Sequence, residues 1–231
     1  MIYRIRRDLK KLENKEKAEI ISNFFKTGKG EYGEGDVFLG ITVPEQRKIA
    51  RRYLDIELNE LNELLSSEIH EYRLTALLLL VEKYKKSDNV FKKEIFEFYL
   101  RNTSYVNNWD LVDLTADKIL GDYLFERDKN ILYELAKSEN LWERRIAIIA
   151  TFSFIRKNKF DDTLRVSEIL LNDKHDLIHK AVGWMLREVG KRDQGVEERF
   201  LKKYYKKMPR TMLRYAIERF DDKKRRFYLG K

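Results

Sequence analysis

The chain of 231 residues contains no cysteine, only two prolines and only three histidines, His70, His175 and His179. Without cysteine there are no disulfides, no thiolate zinc sites and no thiol nucleophile, and the composition suits a reducing compartment. Three histidines leave little for a histidine-ligated metal centre, so neither a metal nor a cofactor is expected. Long apolar runs are also missing: the longest, Ala76 to Val81, is far too short to span a bilayer. The first residues, Met1-Ile2-Tyr3-Arg4-Ile5-Arg6-Arg7-Asp8, hold no apolar signal core, and the expectation is a cytoplasmic protein without membrane attachment.

What is present is helix-forming. Leu, Lys, Glu, Ile and Arg are spread throughout, and the near absence of proline leaves helical stretches unbroken. Apolar residues recur at intervals of three and four, as in Ile20, Phe24 and Phe25, in Phe91, Ile95 and Phe98, and in Ile131, Leu132 and Leu135. No stretch alternates strictly. The expectation is an all-α chain of about a dozen short helices, with no sheet. An apolar fraction of 43% with 13% aromatics is rich enough to fold despite 38% charged residues. The length suits one domain spanning 1–231.

Half of the ten glycines, Gly28, Gly30, Gly33, Gly35 and Gly40, fall in one segment, which predicts a loop over 26–41. No Gly-Lys-Ser/Thr follows and no strand precedes it, so it fits neither a Walker nor a dinucleotide motif. A helix restarts after it. Thr42 and Glu45 have capping-box spacing, and Pro44 stands in the first turn, where proline is tolerated.

The chain also repeats. Arg73, Asp110, Arg145, Lys180 and Arg214 are separated by 37, 35, 35 and 34 residues, each early in an apolar stretch. A period in the thirties with room for two helices is the mark of a helical solenoid. One copy departs from the pattern. It has Asp110 in the basic position, Asp113 where other copies hold Ala76, Ile148, Gly183 or Ile217, and Trp109 immediately before. A local rule broken in one copy marks a candidate site. Trp109 and Asp113 are four apart and share a helical face. If equivalent positions line one surface, Trp109, Asp113, Arg145 and Trp184 would share a groove. A carboxylate among aromatic faces suits a developing cation, and arginine suits a phosphate. Arg145 also admits a structural reading as a helix-to-helix contact. Asp110 reads as a helix-start charge or a partner for an arginine, Trp142 as core, and His175 as a helix start.

Four motifs, in order from about residue 24 to 190, resemble the AlkD family of DNA alkylation-repair glycosylases. They are Phe38-Leu39-Gly40-Ile41-Thr42-Val43-Pro44-Glu45, Asn108-Trp109-Asp110-Leu111-Val112-Asp113, Trp142-Glu143-Arg144-Arg145, and Ile178-His179-Lys180-Ala181-Val182-Gly183-Trp184-Met185-Leu186-Arg187-Glu188. The resemblance implies HEAT-like repeats forming a curved α-α superhelix that holds duplex DNA as a monomer and hydrolyses the N-glycosidic bond of cationic N3- and N7-alkylpurines. It assigns Asp113 as the catalytic carboxylate, Trp109 and Trp184 as aromatics flanking the lesion, and Arg145 as a phosphate contact. Lys180 and Arg187, in the motif of Trp184, are taken as further DNA contacts. An N-terminal aromatic near the site has three candidates: Phe24, Phe25 and Tyr32. The alternatives are a related DNA-structure-binding protein without excision, and a HEAT-like protein-interaction scaffold.

Charge is unevenly placed. The net charge is +9, and from Lys202 to Lys231 twelve Lys and Arg face three Asp and Glu. The basic C-terminal helices expected over 197–231 suit a phosphate backbone or, equally, a solvated helix face.

Overall fold

The computed structural model describes residues 1–230, which fall into two compact units, one of Met1–Thr115 and one that starts at Ala116. Among these residues there is no strand. One isolated parallel bridge, Val37 with Ile69, is the only extended pairing.

The first unit contains α1 (Ile2–Lys10), α2 (Lys15–Phe24), α3 (Val43–Ala50), α4 (Leu58–Leu65), α5 (His70–Lys86), α6 (Asn89–Arg101) and the five-residue α7 (Trp109–Asp113). Helix α5 is its axis. It carries the longest apolar run of the chain and is buried on nearly every face from His70 to Val81, as expected of a helix without a polar side. Helices α3, α4, α6 and α7 pack around it. Polar side chains set the helix starts. Asn14 accepts from the Lys17 amide and Asp88 from the Phe91 amide. Thr42 and Glu45 form the capping box that their spacing predicts.

Helix α2 departs from expectation. Its apolar spacing is helical, yet it buries none of its residues, and Ile20 and Phe24 are 68% and 64% exposed. It is held by close backbone approach instead. A Cβ on Gly40 would strike the Asn14 carbonyl and the Ala18 amide, and Gly40 has φ +79°. Only glycine meets both demands.

The second unit starts with a π-helical turn, Asp117–Gly121, that runs into α8 (Asp122–Leu124). It continues through α9 (Asn130–Leu135), α10 (Leu141–Ala150), α11 (Phe152–Arg156), α12 (Asp161–Ile169), α13 (Asp176–Gly190), α14 (Gln194–Tyr204), α15 (Arg210–Ala216) and α16 (Asp222–Leu229). Helix α13 is its axis, with α10, α12, α14 and α15 against it. His175 caps α13, its Nδ1 accepting from the Leu177 amide at 3.2 Å. Trp142 is core, as its position implies.

The repeat is real, but its register shifts by one residue at the first copy. Arg73 turns back over the start of α5 and donates from Nη1 to the Ser67 and Glu68 carbonyls at 2.8 and 3.1 Å. Arg144, not Arg145, does the same at the start of α10. Its Nη1 reaches the Ser138 and Glu139 carbonyls at 3.0 and 2.8 Å. Each arginine also holds a carboxylate at 2.6 Å, Asp36 for Arg73 and Asp173 for Arg144. At the start of α13, His179 bonds the carbonyl of Asp173 in the same manner. The recurring position is thus a side chain that seals loop carbonyls left unpaired ahead of a helix. Arg145 and Lys180 lie one residue beyond it.

Candidate functional site

Helix α7 is too short to be stable alone, so its placement depends on its anchors. The start is fixed by Asn108, which is fully buried. Its Oδ1 accepts from the Trp109 amide at 2.8 Å, and its Nδ2 donates to Asp36 in the glycine-rich loop at 3.1 Å. Asp110 is fixed by His70, not by an arginine. Its carboxylate lies 2.9 Å from His70 Nε2, while Asp36 lies 3.2 Å from Nδ1. His70 is 2% exposed. Burial alone would lower its pKa, but the Asp110 charge and the hydrogen bonds to Asp110 and Asp36 prevail over that and over Arg73, and push it up to about 9. At neutral pH His70 is therefore an imidazolium, donating to a carboxylate from each ring nitrogen. Burial would likewise raise Asp36, but the His70 hydrogen bond, the Arg73 charge and Asn108 hold it below the usual carboxylate range.

The neighbouring acid, Glu71, gives the Phe38–Ile41 segment its shape. The buried carboxylate accepts three consecutive backbone amides, from Leu39, Gly40 and Ile41, at 2.9, 2.8 and 3.2 Å. Together with the bond from the His70 amide to the Val37 carbonyl at 2.9 Å, this seats the end of the loop on the start of α5. The motif that reads as an N-terminal signature is a wrapping around one buried carboxylate.

Above this network lies an aromatic stack. Phe38 stacks on the His70 ring at 4.6 Å between centroids, Phe25 on Phe38 at 5.1 Å, and Trp109 on Phe25 at 5.0 Å with planes 8° apart. Phe24 meets the Trp109 ring edge-on at 5.9 Å. Of the three N-terminal candidates, Phe25 is buried under Trp109, Phe24 is the exposed aromatic beside it, and Tyr32 is half-buried in the loop. Trp109 and Asp113 are both half-buried, one helical turn apart on α7.

The second unit holds the other expected residues. Arg145 is 5% exposed and donates from Nη1 to the Leu177 carbonyl at 2.6 Å, a contact between α10 and α13. Trp184 is half-buried on α13. Its Nε1 donates to Glu188 at 3.1 Å, and its ring lies 5.8 Å from Phe152. Lys180 pairs with Asp176 at 2.7 Å, and Arg187 pairs with Glu218 and lies beside Glu188. Gly183, next to Trp184, lets α15 close on α13. A Cβ there would come within 2.5 Å of both the Met212 carbonyl and Tyr215.

Sequence reasoning overlooked His70, Asp36 and Glu71. The available signal was a His-Glu pair opening an otherwise apolar helix, because buried charges require partners. Among the described residues no cluster of His, Asp and Glu is arranged to hold a metal ion, and no helix is long and apolar enough to cross a membrane.

These features define a helical repeat protein with a carboxylate and an indole on a short, ionically anchored helix. Residues 5–220 match the family described as DNA alkylation repair enzyme, and the chain belongs to that family. Solved structures share the fold. A predicted DNA alkylation repair enzyme from Enterococcus faecalis superposes with a TM-score of 0.70 at 19% identity, covering 91% of this chain and 97% of that one. AlkD2 from Streptococcus mutans gives 0.56 at 21%, covering 96% and 97%. No curated protein sequence matches the chain.

Proposed function

We propose that the protein is a monofunctional DNA glycosylase that hydrolyses the N-glycosidic bond of cationic N3- and N7-alkylpurines in duplex DNA. The observation that carries this reading is the division of labour on α7. Of its two carboxylates, Asp110 is neutralised by the His70 imidazolium below the helix. Asp113 lies on the Trp109 face.

Alkylation of a ring nitrogen puts a positive charge on the purine, so the base departs neutral and requires no general acid. The barrier lies in the oxocarbenium-like sugar. A carboxylate close to that sugar stabilises it and orients the attacking water. An indole face attracts the same cation. Asp113 would supply the carboxylate and Trp109 the indole, with Phe24 as the exposed aromatic beside it. Trp184 would offer a second aromatic surface to the DNA backbone. Arg145 would supply a guanidinium to a phosphate of the DNA backbone.

The test is release of 7-methylguanine from alkylated duplex DNA. Wild-type protein is expected to release it. Asp113→Asn, which keeps the shape and removes the charge, is expected to lose at least about a hundredfold in single-turnover rate, the scale of a lost electrostatic stabiliser. Duplex binding without release by clean wild-type protein would instead establish a non-catalytic DNA-binding member of the family.

A further inference from the structure

The structure assigns a second anion site, distinct from the α7 carboxylate and indole: the groove between α15 and α16, which we propose holds a backbone phosphodiester of duplex DNA on Arg214, Arg225 and Arg210. The groove has a volume of about 680 Å³, and its lining also includes Thr211, Tyr215 and Glu218.

The argument starts from what the other cations of the repeat are doing. Arg73 and Arg144 are each engaged by two loop carbonyls and a carboxylate, and His179 by the Asp173 carbonyl. Arg214, 34 residues after Lys180, stands one residue beyond that position in the last copy, in line with Arg145 and Lys180. It is exposed and its side chain makes no hydrogen bond or ion pair among the described residues, so five donors of a planar fork line the groove without a partner. Of the cations expected from sequence to meet DNA, Lys180 pairs with Asp176, and Arg187 with Glu218 and Glu188. Arg214 is the member of the series with its guanidinium unengaged.

Its neighbours reinforce the charge. Arg225 has only a 3.9 Å contact to the highly exposed Asp222, which water screens. Arg210 gives one donor to the Leu229 carbonyl at 3.1 Å, tying the two helices together and leaving its other donors available. Glu218, the carboxylate in the lining, is already paired with Arg187. Three guanidinium groups around one groove repel each other, and an anion bridging them removes that repulsion. Guanidinium forks match the paired oxygens of a phosphodiester. Tyr215 packs against Gly183, the neighbour of Trp184, and Glu218 joins Arg187, three residues from Trp184. The groove therefore adjoins the helix that carries the second proposed aromatic.

This inference takes the identity of the polyanion from the proposed function, but its test does not depend on excision. The measurement is fluorescence anisotropy with an undamaged labelled duplex across a salt series, for wild type and for Arg214→Ala/Arg225→Ala. The double variant is expected to bind about tenfold more weakly per lost phosphate contact near 0.1 M salt, with a salt slope shallower by about 0.9 for each. In the wild type, duplex is expected to protect Arg214 from phenylglyoxal, a readout that stands even if the variant folds poorly. Wild-type affinity and slope in a folded double variant, or an unprotected Arg214, would overturn the groove while leaving the glycosylase reading intact. Loss confined to an RNA duplex of the same sequence would overturn it as well. Absence of any salt-dependent duplex binding by wild type would remove both the groove and the DNA reading.

Discussion

At the scale of single residues, His70 matters most among those that sequence reasoning passed over. It is buried with a carboxylate on each ring nitrogen, and these two carboxylates come from the glycine-rich loop and from α7. Removing the imidazolium leaves Asp36 with Arg73 and Asn108 but leaves Asp110 without its buried partner. Because the folded pKa of about 9 stands above the ordinary 6.5, the stabilisation from His70 is complete below pH 6.5 and is lost as pH rises through 9. The full effect is of the order of 3 kcal/mol. Urea unfolding of wild type is therefore expected to show falling stability between these limits. His70→Gln should unfold at lower urea at pH 6 and lose about half of that slope, the rest coming from the buried Glu197. An unchanged slope in the variant would show that the histidine is not the titrating group. The pairing was invisible in sequence because its members are 34 and 40 residues apart and one of them lies in a loop.

At the scale of elements, local chemistry was legible and long-range chemistry was not. The Thr42–Glu45 box, the His175 cap and the glycine loop followed from spacing and residue type, because caps and turns involve neighbours in the chain. The α7 pair of Trp109 and Asp113 stood out because one repeat copy broke the pattern of the others. The one-residue register shift did not, since Arg144 and Arg145 are the same residue type and only the carbonyls they reach distinguish them. Exposure of α2 was equally hidden, because helical spacing of apolar residues says nothing about which neighbour is present. Glycine at a helix crossing is a further case. Gly183 reads as an ordinary residue of an apolar helix, yet α15 lies directly on it. Gly183→Ala should force the two helices apart and cost about 1–3 kcal/mol, the range for overpacking, measured as a lower urea midpoint. An unchanged midpoint would mean that α15 yields without cost.

At the scale of the whole molecule, the +9 net charge acquires a distribution. Two cations expected to face DNA pair within the protein, Lys180 with Asp176 and Arg187 with Glu218, and the charge surplus is concentrated from Lys202 to Lys231, where twelve Lys and Arg face three Asp and Glu. A second buried titratable group gives the molecule an unusual response to alkali. Glu197 on α14 is 1% exposed, with Oε1 unpartnered. Burial, and then the neighbouring Glu198, push its carboxyl up to about 9 against the partial relief of Arg187. A carboxyl raised from the ordinary 4.5 favours the folded state most below pH 4.5 and increasingly less up to pH 9. Its sign therefore matches that of His70, although the two groups lie in different units. Acidic and neutral conditions are expected to favour folding over mildly alkaline ones, against the common pattern in which paired carboxylates make acid the destabilising condition. Glu197→Gln keeps the neutral shape and removes the ionisation, so it should match wild type near pH 4.5 and exceed it progressively above. The difference is expected to be of the order of 3 kcal/mol by pH 7, measured as the gap between the two urea unfolding curves. A gap that does not widen with pH would show that Glu197 titrates normally, and the alkaline sensitivity would then rest on His70 alone.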